Sequence, residues 1–151
     1  MGFSVRQMAL ADREAWARMR ATLWPDASAE EHAKDIDAML AGATGWGFVA
    51  QTHDGAPVGF AEITIRPFAN GCDSRPVPFL EGIWVEAALR RRGIGARLVR
   101  HVEEFIVARG FCEIGSDALM ENHVSHAAHR RWGFCETERV VHFRKLLPAR
   151  T

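Results

Sequence analysis

The 151-residue chain is expected to fold as one mixed α/β domain, a central mixed sheet flanked by helices. Three observations carry that expectation. Stretches with the two-residue alternation of half-buried strands are interspersed with stretches whose apolar residues recur at helical spacing. The length sits near the commonest domain size. No internal repeat, low-complexity tract or long linker divides the chain, so residues 1–151 are read as a single domain.

The elements follow in order. Phe3 to Met8 alternates apolar and polar residues and is expected to be a strand. Ala11 to Leu23 places Trp16, Met19, Arg20 and Leu23 at helical spacing, and Pro25 ends that helix. Ser28 with Glu31 three residues on makes a capping box for a second helix to about Leu40. Gly47 to Thr52 and Pro57 to Arg66 are expected to form a hairpin across the turn His53-Asp54-Gly55. Pro67 to Pro78 is a loop. Phe79 to Glu86 is almost continuously apolar and reads as a central strand buried on both faces. Ile94, Leu98, Val102, Phe105 and Ile106 then form the stripe of an amphipathic helix ending at Gly110. Cys112 to Asp117 is expected to be a strand, Asn122 to Trp132 a helix closing at Gly133-Phe134, and Glu138 to Leu146 a final strand.

Composition narrows the function. With 48% apolar and 25% charged residues the chain is an ordinary globular protein. Nineteen basic residues balance nineteen acidic ones, which disfavours a dedicated nucleic-acid binder. No uncharged apolar run approaches the roughly 18 residues of a membrane helix, and MGFSVRQMAL lacks the apolar core of a secretory signal. Cys72, Cys112 and Cys135 are odd in number and widely spaced, against a disulfide framework or structural metal and for a reducing, cytoplasmic setting.

The most informative stretch runs from Phe79 to Leu98: buried strand, three arginines, Gly-x-Gly, then a helix. Glycines at a helix start let backbone approach a ligand closely, and the free N–H groups there attract a pyrophosphate. Arg90, Arg91 and Arg92 add charge-assisted donors. A solvated arginine cluster is the competing reading of the same residues. A Walker loop is excluded because Gly-x-x-x-x-Gly-Lys-Ser/Thr is absent. A Rossmann fingerprint is excluded because Leu98 stands where the third glycine belongs.

What remains resembles the Gcn5-related N-acetyltransferase superfamily. Arg90-Arg91-Arg92-Gly93-Ile94-Gly95 matches its acetyl-coenzyme A signature, Gln/Arg-x-x-Gly-x-Gly/Ala. A second signature, an Asn followed seven residues later by a Tyr with Gly-Phe close behind, corresponds to Asn122, His129 and Gly133-Phe134. The resemblance covers about Val5 to Lys145 and implies that acetyl-coenzyme A is the co-substrate, with no metal. It implies cofactor contacts at Ile83, Trp84, Val85, Arg90, Arg91, Arg92, Gly93, Ile94, Gly95, Ala96, Asn122 and His129. One departure stands out: the family's usual tyrosine acid is His129, in a chain without any Tyr. An imidazole can donate a proton at neutral pH, although His129 can also be read as a helix-surface residue beside Arg130 and Arg131.

Within that superfamily the chain is similar to aminoglycoside 6′-N-acetyltransferases. The resembling strings include Leu23-Trp24-Pro25, Asn70-Gly71-Cys72-Asp73-Ser74, Phe79-Leu80-Glu81-Gly82-Ile83, Gly115-Ser116-Asp117 and Glu136-Thr137-Glu138-Arg139-Val140. The similarity implies acceptor-site roles for Trp24, Glu81, Asp117 and Glu138, with Phe68 near an aromatic of that site, and a homodimer. Trp24 reads equally well as a helix-end core residue. Charge separation agrees with a polycationic substrate: five arginines and no acid lie between Arg90 and Arg100, while carboxylates stand at loops and strand ends. The acidic run Asp26, Glu30, Glu31, Asp35 and Asp37, taken alone, is better read as a solvated helix face. Glu81 differs, since it interrupts an apolar strand where an uncompensated carboxylate would be costly.

The expected reaction is direct attack of the 6′-amine on the thioester, with no nucleophile from the protein. Glu81 or Asp117 would take the amine proton, N–H groups around Ile83 to Val85 would polarise the carbonyl, and His129 would protonate the thiolate. A polyamine or peptide N-terminal acetyltransferase and a non-catalytic acyl-coenzyme A sensor are the alternatives.

Overall fold

In the computed structural model, which describes residues 2–150, the strands among the described residues join one five-stranded sheet. Alternating residues of Phe3–Gln7 build the edge strand β1, which runs antiparallel to β2 (Gly45–Thr52). β2 turns into β3 (Pro57–Arg66) through Gly55, held at φ 86°, where a side chain would be strained. β4 (Val77–Val85) pairs antiparallel with β3, and the two-residue β5 (Gly115–Ser116) adds in parallel to β4. The strands lie in chain order from β1 to β5.

Side-chain alternation along the central strands divides the core into two layers. Phe48, Ala50 and Ala61 face one side, and Val49 and Phe60 face the other. On the second side lie α1 (Arg13–Leu23), entered through a 3₁₀ turn at Leu10–Asp12, and α2 (Ala29–Leu40). They bury Trp16, Met19, Ile36 and Met39 against the sheet. The Ser28–Glu31 capping box is present, Ser28 Oγ accepting the Glu31 N–H at 3.1 Å and Glu31 accepting the Ser28 N–H at 2.7 Å. On the first side α3 (Ile94–Val107) buries Ile94, Leu98, Val99, Val102 and Ile106, at ~1.5–3 kcal/mol for each such side chain. Among the described residues no helix is long and apolar enough to cross a membrane.

Three expectations need correction. β4 is buried only from Val77 to Leu80; Glu81 to Val85 are half-buried. The cause is the second correction, since the strand expected over Cys112 to Asp117 shrinks to Gly115–Ser116 and leaves the far half of β4 uncovered on that side. Third, the segment after α4 (His123–Arg131) contains no strand. Residues 138–146 alternate as a strand should, yet Val141 is 77% and Phe143 93% exposed because no sheet edge of the same subunit lies beside them. Strand character without a partner strand forms no ladder.

Candidate active site

The site opens where β4 and β5 part. They pair only at Phe79–Gly115 and Leu80–Ser116, so Gly82 to Val85 pair with β3 on one side alone. The β3–β4 register also slips there: Glu62 faces Gly82 and Ile63 faces Leu80, leaving Glu81 as the extra residue of a bulge. A bulge re-aims the side chain it carries. Gly82 beneath it is required by close approach, because a Cβ at that position would overlap the Trp24 ring. Trp24 meets Phe60 edge-on at 6.1 Å, lies under the Arg20 guanidinium at 4.8 Å, and its carbonyl oxygen is 3.2 Å from His32 Nε2. Trp24 thus packs as a helix-end core residue, with its ring against Gly82 of β4.

The acidic side is built on β3 and β4. Arg66 grips Glu81 with two bonds, Nε to Oε1 at 2.8 Å and Nη2 to Oε2 at 2.7 Å, and the Thr64 hydroxyl adds a third at 2.6 Å. The Glu81 hydrogen bond holds the Arg66 guanidinium above its ordinary pKa, and the Asp117 carboxylate adds to the same field. Arg66 also covers the Phe79 ring at 3.6 Å. Both Glu81 oxygens are therefore engaged by neighbouring side chains. Asp117 follows Ser116 directly and is exposed. Phe68 lies exposed on the loop after β3 with Arg75 5.9 Å from its ring, and Glu138 lies beside that loop at Gly71.

The basic side is the start of α3. Gly93 takes a left-handed conformation at φ 85° as the N-cap residue, and the first intrahelical bond runs from Arg97 N–H to Gly93 O. The amides of Ile94, Gly95 and Ala96 therefore precede the helical ladder and face outward, as an anion site requires. Gly95 packs against Trp132, leaving no room for a side chain. Arg90 is tied to the Val85 carbonyl at 2.9 Å, and Arg91 is itself left-handed at φ 63°, which turns the arginine loop sharply into the helix. Between the two sides lies α4. The Asn122 side chain caps it by accepting the Ser125 N–H at 3.1 Å. His129 packs against Trp132 and Phe134, and its two ring nitrogens meet Ser125 and Ser116.

An anion cradle on one flank, carboxylates on the other and an open β4 edge between them suit a reaction joining a phosphate-bearing donor to a cationic acceptor. Residues 14–134 match the family model described as Acetyltransferase (GNAT) family. The chain belongs to the GNAT acetyltransferases. It is similar to aminoglycoside N(6′)-acetyltransferase type 1 of Serratia marcescens, at 43% identity over 89% of this chain and 92% of the relative. The protein of the same name from Stenotrophomonas maltophilia is also 43% identical, over 93% of this chain and 92% of the relative. Among solved structures it is similar to AAC(6′)-Iy in complex with the bisubstrate analogue CoA-S-monomethyl-acetylneamine. That likeness has a TM-score of 0.92 at 38% identity and covers 97% of this chain and 100% of that one.

Acidic residues of α2, between β1 and β2, are engaged within the helical layer. Asp37 pairs with Arg13 at 2.7 Å, Asp35 with Arg20 at 2.7 Å, and Glu31 caps α2. The run is a helix face, as its own pattern suggested. Two residues at the opening received no role from the sequence: Arg66 is the end of a strand with no motif around it, and Ser116 is the unassigned middle of the Gly115-Ser116-Asp117 string; strand register brings both to the opening. Cys72 is half-buried, and burial followed by the charges of Glu113 and Asp73 pushes its thiol above the ordinary value, the wrong direction for a nucleophile.

Proposed function

We propose that this chain is an aminoglycoside 6′-N-acetyltransferase, acting as one domain over residues 1–151 with acetyl-coenzyme A as donor. The observation that carries the reading is the parting of β4 from β5 between the α3 anion cradle and the Glu81–Asp117 carboxylates. Near-full-length similarity to enzymes of that name supports the same substrate class. The co-substrate supplies the activated acetyl group; everything else falls to the chain. Ile94, Gly95 and Ala96 N–H groups with Arg91 and Arg92 hold the pyrophosphate. The unpaired β4 edge at Ile83 to Val85 orients the thioester carbonyl and stabilises its developing charge. Glu81, fixed by Arg66 and Thr64, presents a carboxylate to a substrate ammonium. Asp117 accepts the proton of the attacking amine, directly or through water. His129 is the source of the proton that the leaving thiolate needs. Trp24, with Phe68 and Glu138 farther out, bounds the sugar rings.

The assembly belongs to the same proposal. The exposed apolar residues Val140, Val141 and Phe143 suit a strand that pairs across a homodimer; a monomer in sedimentation at micromolar concentration overturns this. A cytoplasmic site of action follows from the need for acetyl-coenzyme A and from three free thiols.

The test of substrate class is mass spectrometry of kanamycin, a peptide and spermidine, each incubated with the protein and acetyl-coenzyme A. One acetyl group on the 6′-amine of kanamycin is the expected product. Preferential acetylation of the peptide or spermidine moves the assignment to another amine. Binding of the donor with every amine unmodified makes the chain a sensor.

A further inference from the structure

We infer that the Ser116 hydroxyl is the group that delivers the proton to the departing sulfur, passing it on from His129. The inference rests on the reading of His129 as the proton source and changes the route by which that proton travels.

The hydrogen-bond pattern around the imidazole decides the route. His129 Nδ1 lies 2.8 Å from the Ser125 carbonyl oxygen, one turn back on α4. A carbonyl only accepts, so Nδ1 carries a hydrogen and is committed to the protein's own helix. The Ser125 hydroxyl oxygen, 3.2 Å away, flanks that same nitrogen. Only Nε2 is left to exchange a proton, and it points at Ser116 Oγ, 2.8 Å away. Trp132 and Phe134, with ring centroids 5.4 and 5.2 Å from that of His129, pack against the imidazole and oppose its swinging away. The ring therefore addresses the opening through a serine.

Ser116 stands where a relay is needed. It is the last residue of β5 and the last to pair with β4, opposite Leu80. Its oxygen lies 3.3 Å from the Leu80 carbonyl, at the apex from which the two strands part. Two arrangements of the hydroxyl follow. With the ring neutral, Ser116 donates to Nε2 and offers nothing to the opening. With the ring cationic, Nε2–H donates to Ser116 Oγ, and the serine hydrogen turns toward Leu80 O or an acceptor that enters beside it.

The step balances. As the carbon–sulfur bond breaks and its electron pair stays on sulfur, Ser116 gives its hydrogen to sulfur. Simultaneously it takes the Nε2 proton, leaving a neutral imidazole that keeps its hydrogen on Nδ1. The proton lost by the acceptor amine, carried off by Asp117 and solvent, restores the imidazolium. Ser116 ends the cycle as it began and forms no bond to carbon.

The test uses four variants, Ser116→Ala, Ser116→Thr, His129→Phe and the double Ser116→Ala/His129→Phe, with kanamycin as acceptor. Ser116→Ala is expected to lose about 10²-fold in kcat, with acetyl-coenzyme A affinity by calorimetry unchanged. Ser116→Thr is expected to recover most of that loss. The double variant should be no slower than His129→Phe, because removing either member empties one shared path. Independently of turnover, ¹⁵N NMR of the cofactor-free wild-type protein should show His129 as the Nδ1–H tautomer, and Ser116→Ala should shift the Nε2 resonance. Full activity in Ser116→Ala beside a slow His129→Phe overturns the relay and leaves the His129 reading standing. Full activity in both overturns both. Multiplying losses in the double variant, an Nε2–H tautomer, or acetyl found on Ser116 after reaction each overturn the relay. The wild-type tautomer stays decisive if an alanine variant fails to fold.

Discussion

Two Arg–Glu pairs share strand β3, one reaching it from α1 and the other reaching from it to β4, and water separates their roles. Arg20 Nη1 reaches both oxygens of Glu62 at 2.7 Å, and Arg66 binds Glu81 at 2.8 and 2.7 Å. The distances are nearly equal, yet the side chains of the first pair are 7% and 4% exposed and those of the second 38% and 26%. In the first pair each nitrogen of Arg20 and both oxygens of Glu62 have a protein partner. Trp16 Nε1 donates to Glu62 at 2.6 Å, Arg20 Nε donates to His32 at 3.1 Å, and Arg20 Nη2 reaches Asp35 at 2.7 Å. Burial pushes the Glu62 carboxyl above its ordinary pKa, against the opposing pull of Arg20. The second pair keeps one side open to whatever enters between β4 and β5. A buried pair is part of the fold; a half-open pair is reachable from the opening.

The largest effect is expected at Glu62. Glu62→Ala removes the buried counter-charge of Arg20, leaving only the exposed Asp35, and is expected to cost ~3–5 kcal/mol of stability, read by urea unfolding; a loss below ~1 kcal/mol would mean that the buried pair does not hold α1 to the sheet. Next comes the reacting side of the opening. Asp117→Asn should lower kcat/KM for kanamycin about 10²-fold, or ~2.7 kcal/mol, without changing the melting temperature. Wild-type kinetics would remove Asp117 from the base role. Glu81→Gln is expected to raise the aminoglycoside KM about tenfold, or ~1.4 kcal/mol, more than it lowers kcat. It should leave the fold intact, the contrast with Glu62→Ala that the exposures demand.

The smallest effect sharpens the comparison from the surface. Hydrogen bonding to Arg6 at 2.7 Å holds the Asp12 carboxyl below its ordinary pKa. The native state therefore binds fewer protons there than the unfolded chain. That contribution is present above the ordinary carboxylate value and fades as pH falls through the lowered one. Arg6→Ala should remove ~0.2–1 kcal/mol at neutral pH and flatten the acid limb of the stability curve. An identical acid limb in the variant would show the pair to be inert.

Local physics was legible from residue order alone. The Ser28–Glu31 box, the turn at Gly55 and the Gly93–Gly95 cradle each use bonds or conformations set within a few positions, so composition and spacing specify them. The α3 stripe likewise predicts which face of that helix is buried, and the structure buries it. Tertiary structure decided what depends on distant partners. Glu81 acquires Arg66 across 15 positions and Ser116 acquires His129 across 13, both through strand register and helix placement. Glu62 acquires Arg20 across 42. The C-terminal segment makes the same point by failing: residues 138–146 have a strand's alternation, but a strand exists only where another edge supplies its hydrogen bonds, and within this subunit none does. Pattern fixes which face a residue prefers; only packing fixes what it meets there.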